Sequence, residues 1–419
     1  MTVVLLSTAC LFVSCGSDIS ETDGPTKVLL WEFGGVESQH EWAVEAVARF
    51  NAHHNDIKVE FASRDWWTQR ETLVSNTIVG EGPDIIRVHH KYAVEFGEIG
   101  GLLPLETFSD WPQIRDRYFT NMLSEVKYDG QHFGIPVTVL PFVLAINGRI
   151  LQEHGLKVPR TWEDIRTMGP ILKASGIHAL TIPGGPKGDT SYRFVPLLYK
   201  AGGRVLNKAM TKALFNGPAG VATLEFLVDL QSNGFLPEGN AAYAFDENCA
   251  HWISERALLS VEGPWFQNTV TTWYEFDLDY LMLRPLPQPP QPLEPNPAKT
   301  LIDVVMVAIP SYTEVPEAAW TVLKELYVYD PVWQTADPKQ SGLPTQKSAF
   351  ETEAFEGYID IDIMADEGAR ALGWPPHPAV TQISRHIAEA ANAAFSGIKT
   401  PKQALDDAAR DVNELLSDY

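Results

Sequence analysis

Two rhythms of apolar and polar residues alternate along this chain. Lys27 leads a short continuous apolar run over 28–31, and Ile57, Val59 and Phe61 alternate with polar neighbours; both patterns predict strands. Between them, Ala43, Ala46, Val47 and Phe50 share one face of a helix over 38–50. Residues 66–79 read as helix, and Gly82-Pro83 then introduces a strand over 84–88. A later strand over 257–261 runs into Glu262-Gly263-Pro264-Trp265-Phe266. Pro218 opens a helix that Gly234 ends. The last helix opens at Thr400-Pro401 and keeps a 3.6-residue period through Leu405, Ala408, Val412 and Leu416. Strands alternating with helices predict α/β layers, and no internal repeat is evident.

The region 128–165 carries the most organisation. Tyr128-Asp129-Gly130 predicts a tight turn. The apolar, β-branched run 137–146 reads as a strand, but Pro141 interrupts it. A proline donates nothing to a ladder, so the chain should bend or leave its sheet within 137–141. Thr161-Trp162-Glu163-Asp164 has capping-box spacing and opens another helix. A strand that leaves one sheet and continues into another is how a chain passes between two lobes.

These residues resemble a known family. Gly130, Phe133, Gly134 and Pro136, then an apolar run ending at Asn147, then Gly155-Leu156, Pro159, Thr161-Trp162 and Asp164, look like the crossover region of extracellular solute-binding proteins, the carbohydrate receptors of ABC importers. The resemblance implies a periplasmic-binding-protein type II fold: two discontinuous α/β lobes, hinge crossings, and a ligand cleft between them. It places a second crossing at the start of the proline-rich run 285–297 and a third at Gly342-Leu343-Pro344. The expected lobes are 27–139 plus 287–343 and 140–286 plus 344–419, after a leader and linker over 1–26. The implied function is non-covalent capture of a mono-, di- or oligosaccharide and delivery to permease subunits, by a monomer that needs no cofactor. The rival readings are a glycoside hydrolase using Glu32, Asp84 and Glu262, and a sugar-sensing receptor subunit.

Composition narrows the function classes. The 419 residues, 45% hydrophobic and 21% charged, suit two lobes of ordinary domain size. Lys plus Arg is 32 and Asp plus Glu is 54, giving a net charge of −22. That surface disfavours nucleic acid and anionic lipid, both of which require clustered cations. Residues 3–13 are apolar or small, too short to span a bilayer, and read as an export signal despite lacking a preceding Lys or Arg. Phe12-Val13-Ser14-Cys15 resembles a lipobox, so Cys15 is expected to carry a membrane anchor at the periplasm or cell surface; Cys10 is a weaker alternative. Cleavage before Cys15 leaves Cys249 as a lone, buried thiol. The pairs His53-His54 and His89-His90 lack metal-ligand spacing.

A sugar offers weakly apolar ring faces and a rim of hydroxyls, so its site needs aromatic rings beside charged or amide side chains. Sites in open α/β sheets lie beyond the carboxyl ends of strands. The candidates there are Trp31 and Glu32 after the first strand, Asp65 and Trp67 after the second, Asp84 and Arg87 on the third, and Glu262, Gly263 and Trp265 after the strand 257–261. Trp66 and Trp67 are adjacent and cannot face one direction, so Trp66 is assigned to the core. Asp189 and Arg193 follow a glycine-rich loop that lacks the P-loop ending. The resemblance adds a late loop at Trp374. It also points to Asp303, which stands where many relatives carry glycines.

Overall fold

The computed structural model describes residues 24–34, 41–274, 276–291, 297–330, 342–351 and 360–419. The export signal, Cys10 and Cys15 lie outside these residues. Twelve strands are described: β1 (Thr26–Gly34), β2 (Ile57–Asp65), β3 (Ile85–His89), β4 (Lys127–Tyr128), β5 (Gln131–His132), β6 (Ile135–Pro141), β7 (Val143–Asn147), β8 (His178–Thr181), β9 (Ala257–Glu262), β10 (Leu281–Arg284), β11 (Ile302–Ala308) and β12 (Leu343–Pro344). They form two principal sheets, ordered β12-β6-β11-β3-β1-β2 and β10-β7-β9-β8, and the small pair β4-β5. In the first sheet β1 lies parallel to β2 and β3, while β11 and β12 run antiparallel to their neighbours.

Alternation along β1 decides what each face buries. Val28 and Leu30 join a cluster with Ile85, Val307, Trp111 and Trp320. Phe33 and its partly buried neighbour Trp31 join Ile86, Val88, Leu73 and Phe96 on the opposite face. The second sheet supports the largest cluster, in which Leu144, Leu180 and Leu259 meet helices Trp162–Ala174, Gly188–Lys200 and Val380–Phe395. The predicted capping boxes form at Thr161, with Asp164, and at Thr400, with Gln403. Cys249 is fully buried among Trp252, Phe266 and Val270.

The bend lies one residue beyond the expected segment. β6 continues through Pro141, whose register partner is Ile302, and only Phe142 separates it from β7. Proline fits the extended end of a strand, so pairing stops after it rather than before. The Phe142 N–H donates to Leu301 O at 3.0 Å. The Thr300 hydroxyl donates to Phe142 O at 2.7 Å. Leu372 joins the same knot, its carbonyl accepting from Ile302 N at 2.9 Å and its N–H donating to Thr300 O at 3.1 Å.

The return to the first sheet also falls later than the start of the proline-rich run. Gln288 still pairs with the second lobe, donating to Arg160 O at 2.8 Å and accepting from Trp162 N at 2.9 Å. Leu286, Ala298 and Leu301 pack in the second sheet's cluster, and the chain enters the first sheet at Ile302. Residues 292–296 lie outside the described part. After β12 the chain stays with the first sheet, where the Thr345 hydroxyl donates to Pro136 O at 2.6 Å.

Thr300→Val keeps the shape of this fully buried side chain but strands the Phe142 carbonyl. A stability loss of about 1–3 kcal/mol is expected in urea unfolding; an unchanged midpoint would show that the hydroxyl is dispensable to the knot.

Candidate solute-binding cleft

The two sheets meet where β3, β9 and β11 end or begin beside Phe142. From the first sheet come Trp66, His89, His90, Lys91, Tyr92 and Asp303. The helix Gly188–Lys200 supplies Asp189, Tyr192 and Arg193. The turn after β9 supplies Trp265, and the loop before Val380 supplies Trp374.

Tyr192 is the centre of the aromatic wall. Its ring lies 5.9 Å from His89 across the cleft, 5.9 Å from Phe142 and 5.2 Å from Trp374. Trp66 packs on His89 at 4.5 Å, and Trp265 meets Phe142 edge-on at 5.1 Å. Gly263 makes room for Trp265: a Cβ there would sit 1.9 Å from the indole carbon Cζ3. The buried Trp374 indole N–H is directed at the Tyr192 hydroxyl, whose own proton finds no acceptor among the described residues. An unsatisfied buried donor is costly and marks a place where a ligand atom belongs.

Asp303 is the electrostatic centre. Its Oδ2 lies 2.6 Å from His89 Nδ1 and its Oδ1 lies 2.9 Å from His90 Nδ1. Val304 N also donates to Oδ1 at 3.0 Å. Burial opposes ionisation of Asp303, but the two imidazoles outweigh it and hold the carboxyl well below the usual range. Burial pushes the His89 pKa down. His90 is raised, because its bond to Asp303 and the charges of Asp303 and Glu125 overcome its burial.

Arg193 and Glu262 form a second network, in the wall rather than the lumen. Arg193 donates to Glu262 Oε2 at 2.6 Å and to Val261 O at 3.0 Å. Asn248 and Ser260 each donate to Glu262 Oε1 at 2.8 Å. The arginine plane also lies 5.8 Å from Trp265 and 5.7 Å from Phe142, so this ion pair buttresses the aromatic seat.

Several residues singled out from sequence lie elsewhere. Asp84 precedes β3 and so sits at its amino end, opposite the cleft. It accepts from Leu29 N at 2.8 Å and Thr313 Oγ1 at 2.5 Å, a clamp between strands. Glu32 and Arg87 are register partners on β1 and β3, on the face that meets Tyr327, whose hydroxyl donates to Glu32 at 2.8 Å. Glu32 is fully buried there. Trp31 faces the other cluster with Arg64 over its ring at 4.2 Å. Asp65 is exposed at the end of edge strand β2. The side chain of Trp67 lies outside the described residues; its neighbour Trp66, assigned to the core, is the one found against His89.

The sequence places His89 and Lys91 just beyond Arg87 at the end of the third strand, but Asp84 and Arg87 were preferred there; Tyr92 and Tyr192 were not among the candidates. The signal was present, since His89 ends β3 and Lys91 and Tyr92 follow it directly. Ending that strand at Val88 turned attention to Asp84 and Arg87. Tyr192 carried no local signal; one residue before Arg193 and about one turn on from Asp189, it takes its meaning from the opposite lobe.

A cleft between two α/β lobes, lined by rings and hydrogen-bonding groups, defines a receptor for a small soluble molecule. The chain matches the bacterial extracellular solute-binding protein model over residues 36–329 and belongs to that family. Its fold superposes with a TM-score of 0.83 on an ABC transporter solute-binding protein of Thermotoga lettingae solved with α-D-tagatose, at 23% identity over 93% of this chain and 100% of that one. The GacH receptor of Streptomyces glaucescens, solved with acarbose, gives a TM-score of 0.83 at 20% identity over 94% and 99%. An arabinooligosaccharide-binding protein of Bacillus subtilis is 22% identical over 296 residues, 68% of this chain and 66% of that one. These similarities show the type II periplasmic-binding fold.

Asp303→Asn leaves two imidazoles facing a neutral amide. The substitution is expected to cost about 3–5 kcal/mol at pH 7. Because the folded carboxyl is depressed below its unfolded value, its contribution is present above about pH 4 and lost as pH falls through the folded value. In urea unfolding at pH 7, 4 and 3 the gap between wild type and variant should therefore narrow only below about pH 4. A gap that stays constant would contradict this assignment.

Proposed function

We propose that the chain is the extracytoplasmic binding subunit of an ABC importer that captures a carbohydrate between its lobes and hands it to membrane permease subunits. The observation that carries this is the convergence of rings from both lobes, Trp66 and His89 against Tyr192, Trp374 and Trp265, around the buried Tyr192 hydroxyl, whose proton has no acceptor among the described residues. Rings cover sugar faces, and the unmet polar atoms suit hydroxyls. The carbohydrates named for the similar proteins support the same class. The lobes so read are 24–141 with 302–351 and 142–301 with 360–419, hinged at Phe142 and Thr300–Ile302. The contacting side chains are Trp66, His89, Lys91, Asp189, Tyr192, Trp265, Asp303 and Trp374, with Gly263, Arg193 and Glu262 supporting them.

The mechanism is closure without covalent change. Each lobe holds part of the contacts, so a ligand touching both favours the closed form by its differential affinity. The Thr381 hydroxyl already donates to Glu95 across the lobes at 2.9 Å, and Glu95 also holds Arg70 at 2.6 Å. Micromolar affinity, roughly −8 kcal/mol, suffices for capture and still permits release. A hydrolytic reading loses support, because Glu32, Asp84 and Glu262 sit in three separate networks and each already accepts from protein donors. Export, a lipid anchor at Cys15 and a monomeric state complete the proposal; no helix among the described residues is long and apolar enough to cross a membrane.

A thermal-shift screen over a sugar panel tests the class. A ligand at 100 times its dissociation constant adds about 2.7 kcal/mol and raises the melting point. Trp265→Ala should abolish that rise while leaving the fold intact. A rise that survives in the variant would remove Trp265 from the site, and the absence of any rise across the panel would remove carbohydrate.

A further inference from the structure

Most cleft carboxylates already hold protein donors. Asp303 receives two imidazoles and a backbone N–H. Glu262 receives Arg193, Asn248 and Ser260. Glu95 receives Arg70 and Thr381, and Asp189 receives the backbone of Phe245. Lys91 is different. Its ammonium lies 5.3 Å from the Tyr92 ring of one lobe and 5.3 Å from the Tyr192 ring of the other. Among the described residues it forms no ion pair; Asp303, Glu95, Asp189 and Arg70 reach it only through space. Lys91 is partly buried; an ammonium partly withdrawn from water without a hydrogen-bonded counter-charge is unfavourable, and such groups concentrate at functional sites.

We infer that the solute taken by this cleft carries an anionic group, a carboxylate or a phosphate on a sugar, which pairs with Lys91 between the Tyr92 and Tyr192 rings. The inference rests on the binding role proposed above and narrows its ligand. A neutral sugar brings a proton with every hydroxyl oxygen, whereas the lone pairs that would receive those protons on Asp303 and Glu262 are largely filled. An anionic group brings acceptors alone. It meets the donors left over: Lys91 Nζ and the Tyr192 hydroxyl. The nearby acids do not bar it. Burial pushes the Asp189 carboxyl towards its neutral form, and the His89 and His90 rings already occupy both oxygens of Asp303. Lys91 is thus a specificity-determining residue, and its place between rings of both lobes makes charge pairing part of closure.

Matched sugars test this on the full chain. Galacturonate is compared with galactose, glucuronate with glucose, and glucose 6-phosphate with glucose, by calorimetry and thermal shift. The acidic member of at least one pair should bind about tenfold or more tighter than its neutral partner. Lys91→Met should erase that ratio while keeping the unliganded melting point, and Lys91→Arg should retain most of it. Preference within the carboxylate pairs or the phosphate pair identifies which anion is taken. Neutral sugars binding as tightly as their acids, with Lys91→Met changing neither, would overturn the charge inference and leave the receptor role standing. Binding of no sugar at all would overturn the carbohydrate role and this inference together.

Discussion

The architecture depends on a small backbone knot. Phe142 is the only residue between β6 and β7, and both of its peptide groups are tied to the other crossing, the N–H to Leu301 and the carbonyl to the Thr300 hydroxyl. Buried peptide groups must be paired, so a crossing with no helix or sheet around it needs a partner segment. Here each crossing is the other's partner, and Leu372 extends the arrangement. The two sheets are held end to end as a result, and the strand ends that face one another become a cleft.

That geometry explains the allocation of charge. Near the knot, an apolar cluster runs from Val139, Ile302 and Val304 on the first sheet to Val143, Ala145 and Leu283 on the second. Ionisable groups beside it are bound to one another in compact sets, Asp303 with His89 and His90, and Glu262 with Arg193, Asn248 and Ser260. Low-dielectric surroundings make each set strong when complete and costly when broken. What stays open to a guest is the set of aromatic surfaces, a few neutral donors and one lysine.

Much of the fold was legible in local pattern. The apolar run at 28–31, the alternation of Ile57, Val59 and Phe61, and the caps at Thr161 and Thr400 all became the elements they predicted, because each depends on backbone propensity and on period. The site was legible only in part. Trp265, Trp374, Asp189 and Asp303 lie at the cleft. Glu32 and Arg87 pair with each other instead, and Asp84 lies at the wrong end of its strand. A side chain's face depends on register, and register is set by pairing between distant strands.

The sequence by itself determined the alternation of strands and helices, the caps, an interruption close to Pro141 and the supply of aromatic and acidic residues, since these follow from neighbours within a few positions. Tertiary structure alone decided which carboxylates would be spent on internal donors, where the chain returns to its first sheet, and that Tyr192 would meet His89 and Lys91. Those outcomes join residues about a hundred positions apart. Only the packing of one sheet against the other brings them within reach, and contact at that range leaves no trace in a local pattern.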